Sequence, residues 1–264
     1  MWPYLKIFSA AFLWSTIGLA AHFGRDYVWM SLVRMFAAAF FALAARAPLT
    51  RRGLVPGLLL GGLSLSYLAA AVYAGVGPAA YLLYTAPLWT FLLSYIWGER
   101  ATLTDVAGGG LIVAAVFVMY LASTAGEIKL IGLLAGLAAG IFYGGYIAVA
   151  RRYAKEGREI EASLGAMPYT PLPLLPLMAL SQLPSLEAVL AGIYLAVFAT
   201  IIPYLLFTSA VTKVSGPKAS VLASIEAVLA AIWGLLLLGQ TPGVYTITAY
   251  VLITIAVTIS IFKR

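Results

Sequence analysis

Two ionisable side chains fall inside long apolar runs. Glu226 stands eight residues beyond Lys218 and Arg34 seven beyond Tyr27; at 1.5 Å per helical residue, they lie about 12 Å and about 10 Å into their runs. Charged groups at such depth are costly and mark functional positions by default. Glu226 reads either as a proton or substrate-cation site or as a structural carboxyl bonded to helix ends or to Arg34. Arg34 reads as an anchor for a substrate carboxylate or, in the preferred reading, as a long side chain snorkelling to the outer interface. Their levels differ by roughly 8 Å within a hydrocarbon layer about 30 Å thick, so a direct ion pair is allowed but not required.

Around this pair lies a layer of aromatic residues: Trp14, Tyr67, Tyr81, Tyr84, Trp89, Tyr143, Tyr146, Tyr169, Tyr204 and Trp233. They sit within the runs, not at the run ends where interfacial Trp and Tyr collect, and their buried O–H and N–H groups need partners. The candidate substrate-binding set is Trp14, Tyr67, Tyr81, Tyr84, Thr85, Tyr146, Tyr169, Tyr204 and Ser224. Tyr81 and Tyr84 are three apart and Thr85 is four from Tyr81, so on a helix they share a face. About a third of the aromatic layer is expected to line a pocket suited to apolar or aromatic metabolites, the rest to pack.

Other chemistries lack their residues. With no Cys there is no disulfide or thiolate metal site, and the single His22 excludes a multi-histidine centre. Gly108-Gly109-Gly110 lacks the Lys-Ser/Thr ending and preceding strand of a phosphate loop. No catalytic group, metal or cofactor is assigned, and the chain does not read as an enzyme. The net charge of +7 comes from basic residues standing singly or in pairs between apolar runs, not from the clustered basic face that nucleic acid needs.

The elements that must position these groups are membrane helices. Of 264 residues, 63% are apolar and 9% charged, with a mean hydropathy of +1.02, against about a quarter charged in soluble domains. The spans fall at approximately 4–21, 28–45, 54–74, 79–97, 105–122, 130–150, 162–181, 186–207, 217–237 and 243–262. The first, interrupted by Trp14 and followed by many more, reads as a helix and not a cleaved signal. Pro168, Pro171, Pro173 and Pro176 crowd the seventh. Pro87, Pro171 and Pro203 mark the expected kinks or hinges. The stripes Gly132, Gly136, Gly140, Gly144 and Gly53, Gly57, Gly61 read as close-packing faces, with a dimer contact as the lesser alternative.

With the N-terminus inside, thirteen of the sixteen Lys and Arg residues fall on the inner side, and only Arg25 and Lys129 outside. That asymmetry supports ten spans with both termini in the cytoplasm. The halves echo each other. Gly77-Pro78-Ala79 returns as Gly216-Pro217-Lys218-Ala219, 139 residues on, and Tyr67-Leu68 as Tyr204-Leu205 at an offset of 137. Two five-span units, 1–125 and 126–264, must enter the membrane from opposite sides because five is odd, giving inverted repeats.

These residues resemble the EamA family of the drug/metabolite transporter superfamily. The resemblance rests on Leu13-Trp14-Ser15, on Tyr84-Thr85-Ala86-Pro87-Leu88-Trp89 ending at Gly98-Glu99-Arg100, on Ser224-Ile225-Glu226-Ala227, and on Arg34 in the second span. Two positions depart from the family pattern. Ala227 stands in place of its usual Pro, and Gln240 in place of its second Glu, which leaves that loop neutral. The resemblance implies ten helices in two inverted repeats around a central cavity, and a multi-pass protein of the cytoplasmic membrane that moves small organic molecules, most often outward. The expected function is therefore a secondary transporter, an exporter of metabolites such as amino acids working by alternating access. Protons are the candidate coupling ion, with Glu226 as the coupling group, and the protein is a monomer or a homodimer. A flippase for lipids or lipid-linked sugars is the alternative. A channel is disfavoured because it needs a ring of carbonyls or charges.

Overall fold

A computed structural model of the chain describes residues 2–97, 103–211 and 216–261. Gly98-Glu99-Arg100 lies outside them. Every regular element among the described residues is helical: α1 Trp2–Ser15, α2 Ile17–Gly24, α3 Tyr27–Ala44, α4 Leu54–Ala74, α5 Val76–Leu83, α6 Ala86–Ile96, α7 Leu103–Thr124, α8 Leu130–Lys155, α9 Glu159–Ala162, α10 Leu175–Leu180, α11 Leu186–Ala196, α12 Ile202–Val211, α13 Gly216–Leu238 and α14 Val244–Ile261.

The boundaries follow from local chemistry. Asp26 opens α3 by accepting from the N–H groups of Val28 and Trp29 at 3.1 and 3.0 Å, and Ser185 opens α11 through the N–H of Ala188. Gly75, at φ 100°, turns the chain between α4 and α5, a conformation that side chains with a Cβ resist.

Seven stretches of the described residues are long and apolar enough to cross a membrane: Trp2–Gly24, Tyr27–Ala44, Arg51–Ala74, Val76–Leu93, Val106–Thr124, Leu130–Ala150 and Leu186–Phe207. Ala223–Leu238 and Val244–Ile259 are shorter apolar helices. The outer surface is apolar, with Phe40 75% and Leu183 93% exposed, which suits lipid and would be a liability in water.

The expected seventh span departs most. Instead of one helix over 162–181, the chain forms α9, two 3-10 turns at Met167–Tyr169 and Leu172–Leu174, and the short α10. Pro168, Pro171, Pro173 and Pro176 each remove a backbone donor, and no run between them is long enough to re-establish the i→i−4 ladder. The segment is held by the stripe of α4, where a Cβ on Gly53, Gly57 or Gly61 would meet the carbonyls of Gly165, Ala166 and Thr170. The stripe of α8 works likewise. Gly136 and Gly140 receive Leu82 and Thr85, and Gly144 receives Ala86 and Trp89. Both stripes are intramolecular packing faces.

Three other runs are jointed. Between α1 and α2 the hydroxyls of Ser15 and Thr16 donate to Phe12 O and Leu13 O at 2.6 and 2.7 Å, side-chain bonds that tend to bend helices. The joint between α5 and α6 falls at Tyr84 and Thr85, before Pro87. Between α11 and α12 the chain makes a π turn at Val197–Ile201, before Pro203.

The packing pairs exchange. α4 lies along α8, and α1 along α12; α5 and α6 pack on α8, and α13 on α1; α3 packs on α11, and the 3-10 turns on α4. Replacing each run of the first half by its counterpart in the second carries every one of these contacts onto another. The α7–α14 and α5–α13 contacts map onto themselves. The fold is thus built of two like halves interlocked through their equivalent faces.

Candidate functional site

Arg34 projects from α3 into the bundle and is 8% exposed. Its Nε donates to Thr200 Oγ1 at 2.8 Å and its Nη2 to Ala199 O at 3.1 Å. The π turn explains this arrangement. Pro203 has no N–H to offer the carbonyl of Ala199 four residues before it, and the guanidinium donates there. Thr200 in turn donates to Leu195 O at 3.0 Å. Arg34 therefore does not snorkel outward: the freed carbonyl and the hydroxyl hold it inside.

Glu226 is 6% exposed on α13, which runs unbroken through Ala227 because no proline interrupts it there. The Tyr84 hydroxyl, at the α5–α6 joint, donates to Ala223 O at 3.0 Å or to Glu226 Oε2 at 3.2 Å. One phenolic proton serves only one of these fully. An ionised Glu226 accepts from Tyr84; a protonated one can donate to the Tyr84 oxygen while Tyr84 donates to Ala223 O. The arrangement satisfies its members in either protonation state.

Both groups open on one cavity of about 320 Å³. From the first half it is walled by Trp14, Arg34, Ser64, Tyr67 and Tyr84, and from the second by Tyr143, Tyr146, Phe207 and Glu226. The Trp14 and Phe207 rings meet with centroids 5.4 Å apart. Ser64 and Tyr67 are one turn apart on α4, each 3% exposed, and neither hydroxyl has a hydrogen-bond partner among the described residues. Buried hydroxyls are nearly always paired, so two unpaired ones beside a cavity suit a polar occupant.

Among the expected residues, Trp14, Arg34, Tyr67, Tyr84, Tyr146 and Glu226 come together here. Tyr81, Thr85, Tyr169 and Ser224 are not among the residues that line the cavity. Tyr81 stacks on Tyr250 of α14, with centroids 3.8 Å apart and planes 9° apart, so it does not share the face of Tyr84. Thr85 is fully buried against Gly140, donating to Leu82 O and accepting from Trp89 Nε1. Tyr169 packs on Gly53 and Gly57. Ser224 is half-buried on α13, turned by about 200° from Glu226 because it stands two positions before it. The Tyr204 side chain lies outside the described residues. Pro87 and Pro203 flank the helix joints, and Pro171 falls between the 3-10 turns.

Ser64, Phe207 and Thr200 were not singled out from the sequence. Ser64 had a readable signal, its spacing of three from Tyr67; Phe207 and Thr200 look like ordinary packing residues. Beyond the cavity, Trp233 Nε1 donates to Ser15 Oγ at 2.9 Å, and Thr16 Oγ1, its own proton on Leu13 O, accepts from Tyr194 OH at 2.8 Å. The α1–α2 joint is thereby latched to the second half.

The sequence profile of the EamA-like transporter family matches residues 1–121 and 130–262, one match in each half. One solved structure, described as "Crystal structure of protein", is 24% identical, covering 98% of this chain and 96% of its own, with a TM-score of 0.59. It shows a shared fold. No curated protein matches the chain.

Proposed function

The chain belongs to the EamA-like transporter family, and on that premise we propose that it is a secondary transporter exporting small organic metabolites such as amino acids. In this reading the chain crosses the cytoplasmic membrane ten times with both termini inside. The broken 159–180 segment counts as one crossing, and the two halves are inverted repeats. Substrate enters from the cytoplasm, the halves rock about their shared cavity, and release follows outside. The joints at Thr16, at Tyr84 and Thr85, and at the π turn are the places where the helices bend.

One observation carries the reading: a single cavity, walled by both halves, brings the buried acid and the buried guanidinium together among aromatic rings. A solute with apolar or aromatic bulk and opposite charges suits such walls. Protons are the proposed coupling ion and Glu226 the coupling group, since the Tyr84–Glu226 arrangement serves both protonation states.

The test is counterflow in proteoliposomes loaded with unlabelled phenylalanine. Saturable uptake of labelled phenylalanine, or of another amino acid from a panel, is expected. Lipid scrambling without any solute counterflow would overturn the reading in favour of a flippase. Glu226→Gln should keep counterflow and lose flux driven by a pH gradient; unaltered pH-driven flux ends the coupling role.

A further inference from the structure

Beside the central cavity the protein holds a second recess of about 50 Å³. Arg34, Leu63 and Ser64 line both spaces, so the two share a wall. The rest of the recess lining includes Thr170, Thr200 and the apolar Met167 and Leu60. Its volume exceeds what one water needs, yet it is far smaller than the cavity beside it.

The chemistry of the lining selects an occupant. Thr170 spends its hydroxyl proton on Met167 O at 2.8 Å, and Thr200 spends its own on Leu195 O. Donors toward the recess are therefore the guanidinium of Arg34 and the hydroxyl of Ser64, which is buried with no partner among the described residues. Among the described residues no carboxylate lines the recess, and Glu226 lines the central cavity only. Positive charge, a waiting hydroxyl donor and no acid describe a site for an anion, not for a cation or an apolar group. A single guanidinium suits one negative charge, and the small volume suits a compact group. Tyr67, one turn along α4 with its own unpaired hydroxyl, stands where the cavity meets this wall.

We infer that this recess is a subsite for a compact monovalent anion, held by Arg34 and Ser64. The same chemistry can come from the carboxylate of a carried molecule, whose body then lies in the central cavity, or from a free halide. The inference deepens the transporter reading and rests on it only for the first of these sources.

The test uses the full-length protein purified in detergent, followed by thermal unfolding at constant ionic strength. Gluconate, too bulky for the recess, is replaced stepwise by chloride or by acetate, and acetamide serves as the neutral isostere of acetate. Stabilisation by an occupant follows from linkage. Chloride, acetate or both should raise the midpoint in a saturable way, while acetamide leaves it unchanged. A response to acetate alone assigns the site to a carboxylate, and one to chloride alone to a free halide. Ser64→Ala should fold normally, because it removes a hydroxyl with no partner among the described residues, yet weaken the anion response by about tenfold. Arg34→Gln should abolish the response, and if that variant does not fold, Ser64→Ala still decides. Responses to chloride and acetate no larger than to acetamide, or an unweakened response in Ser64→Ala, would overturn the inference. No counterflow is involved. An anion response without transport leaves the subsite standing and removes the transporter reading, and transport without an anion response does the reverse.

Discussion

The guanidinium of Arg34 occupies the position that Pro203 vacates: its Nη2 donates at 3.1 Å to Ala199 O, the carbonyl four residues before a residue with no N–H. A proline and an arginine from different halves thus complete one hydrogen bond. Arg34→Met should lower stability by about 1–3 kcal/mol, the usual effect of leaving a buried acceptor unpaired. In a Pro203→Ala background the chain can supply its own N–H to Ala199, so the same substitution should do about 1 kcal/mol less damage. A double-mutant cycle of unfolding in detergent measures the difference; additivity would show that the two residues are independent.

Tyr81 and Tyr84 separate by role although three residues apart. Tyr84→Phe removes the donor shared between Ala223 O and Glu226, and should slow counterflow by about tenfold, equivalent to about 1.4 kcal/mol of barrier. Tyr81→Phe keeps the ring stacked on Tyr250 and should leave counterflow within about twofold. Equal effects of the two substitutions would contradict the assignment of the cavity face.

The helices were legible because long apolar runs stand between charged or Gly/Pro-marked loops, and lipid tolerates little else. The buried charges were legible for the same reason, since an ion in an apolar run is conspicuous. What surrounds them was not. Arg34 looked within reach of the interface because its depth could be counted, whereas the carbonyl that Pro203 frees lies 165 residues away. Ser64 and Thr200 are small hydroxyl residues in apolar helices, where most such residues bond their own backbone. Only the fold shows that Ser64 does not. The crowded prolines at 168–176 flagged trouble, but the fact that the glycine stripe of α4 receives the broken segment is a relationship between halves.

Gln240 and Glu127 act as caps on helices remote in sequence. Gln240 Oε1 accepts from the N–H of Val76 at 2.9 Å, at the start of α5, so the second half keeps a tether to the first without a charge. Gln240→Glu preserves an acceptor at a helix N-terminus and should be tolerated. Gln240→Leu should lower stability by about 1 kcal/mol, as loss of a cap does. Full tolerance of Gln240→Leu in unfolding measurements would remove the tether.

Glu127, in the loop between α7 and α8, accepts from the N–H groups of Tyr245 and Thr246 at 3.3 and 2.9 Å and from the Thr246 hydroxyl at 2.6 Å. Burial pushes its carboxyl up, but the bonds from Thr246 and Tyr245 outweigh that and hold it below its ordinary value. A carboxyl lowered in the folded state contributes stability above the ordinary carboxylate range and loses it as pH falls through its lowered value. The acid-side fall in unfolding midpoint should therefore be shallower in Glu127→Gln than in the parent, by a small amount because the group is only half-buried. Identical acid profiles would exclude the contribution.

Ala227 stands where the family pattern that this chain resembles has proline, and its N–H is the natural partner of Ala223 O, four residues back. Tyr84 already donates to that carbonyl at 3.0 Å. A proline at 227 would therefore free a carbonyl that keeps a donor, much as Arg34 serves Ala199. Proline within a helix normally costs about 3 kcal/mol, and Ala227→Pro should cost about 1 kcal/mol less in the parent than in a Tyr84→Phe background, where the freed carbonyl loses its donor. Unfolding midpoints of the parent, the two single variants and the double variant settle the matter: if the two substitutions are additive, the Tyr84 hydroxyl does not stand in for the missing N–H.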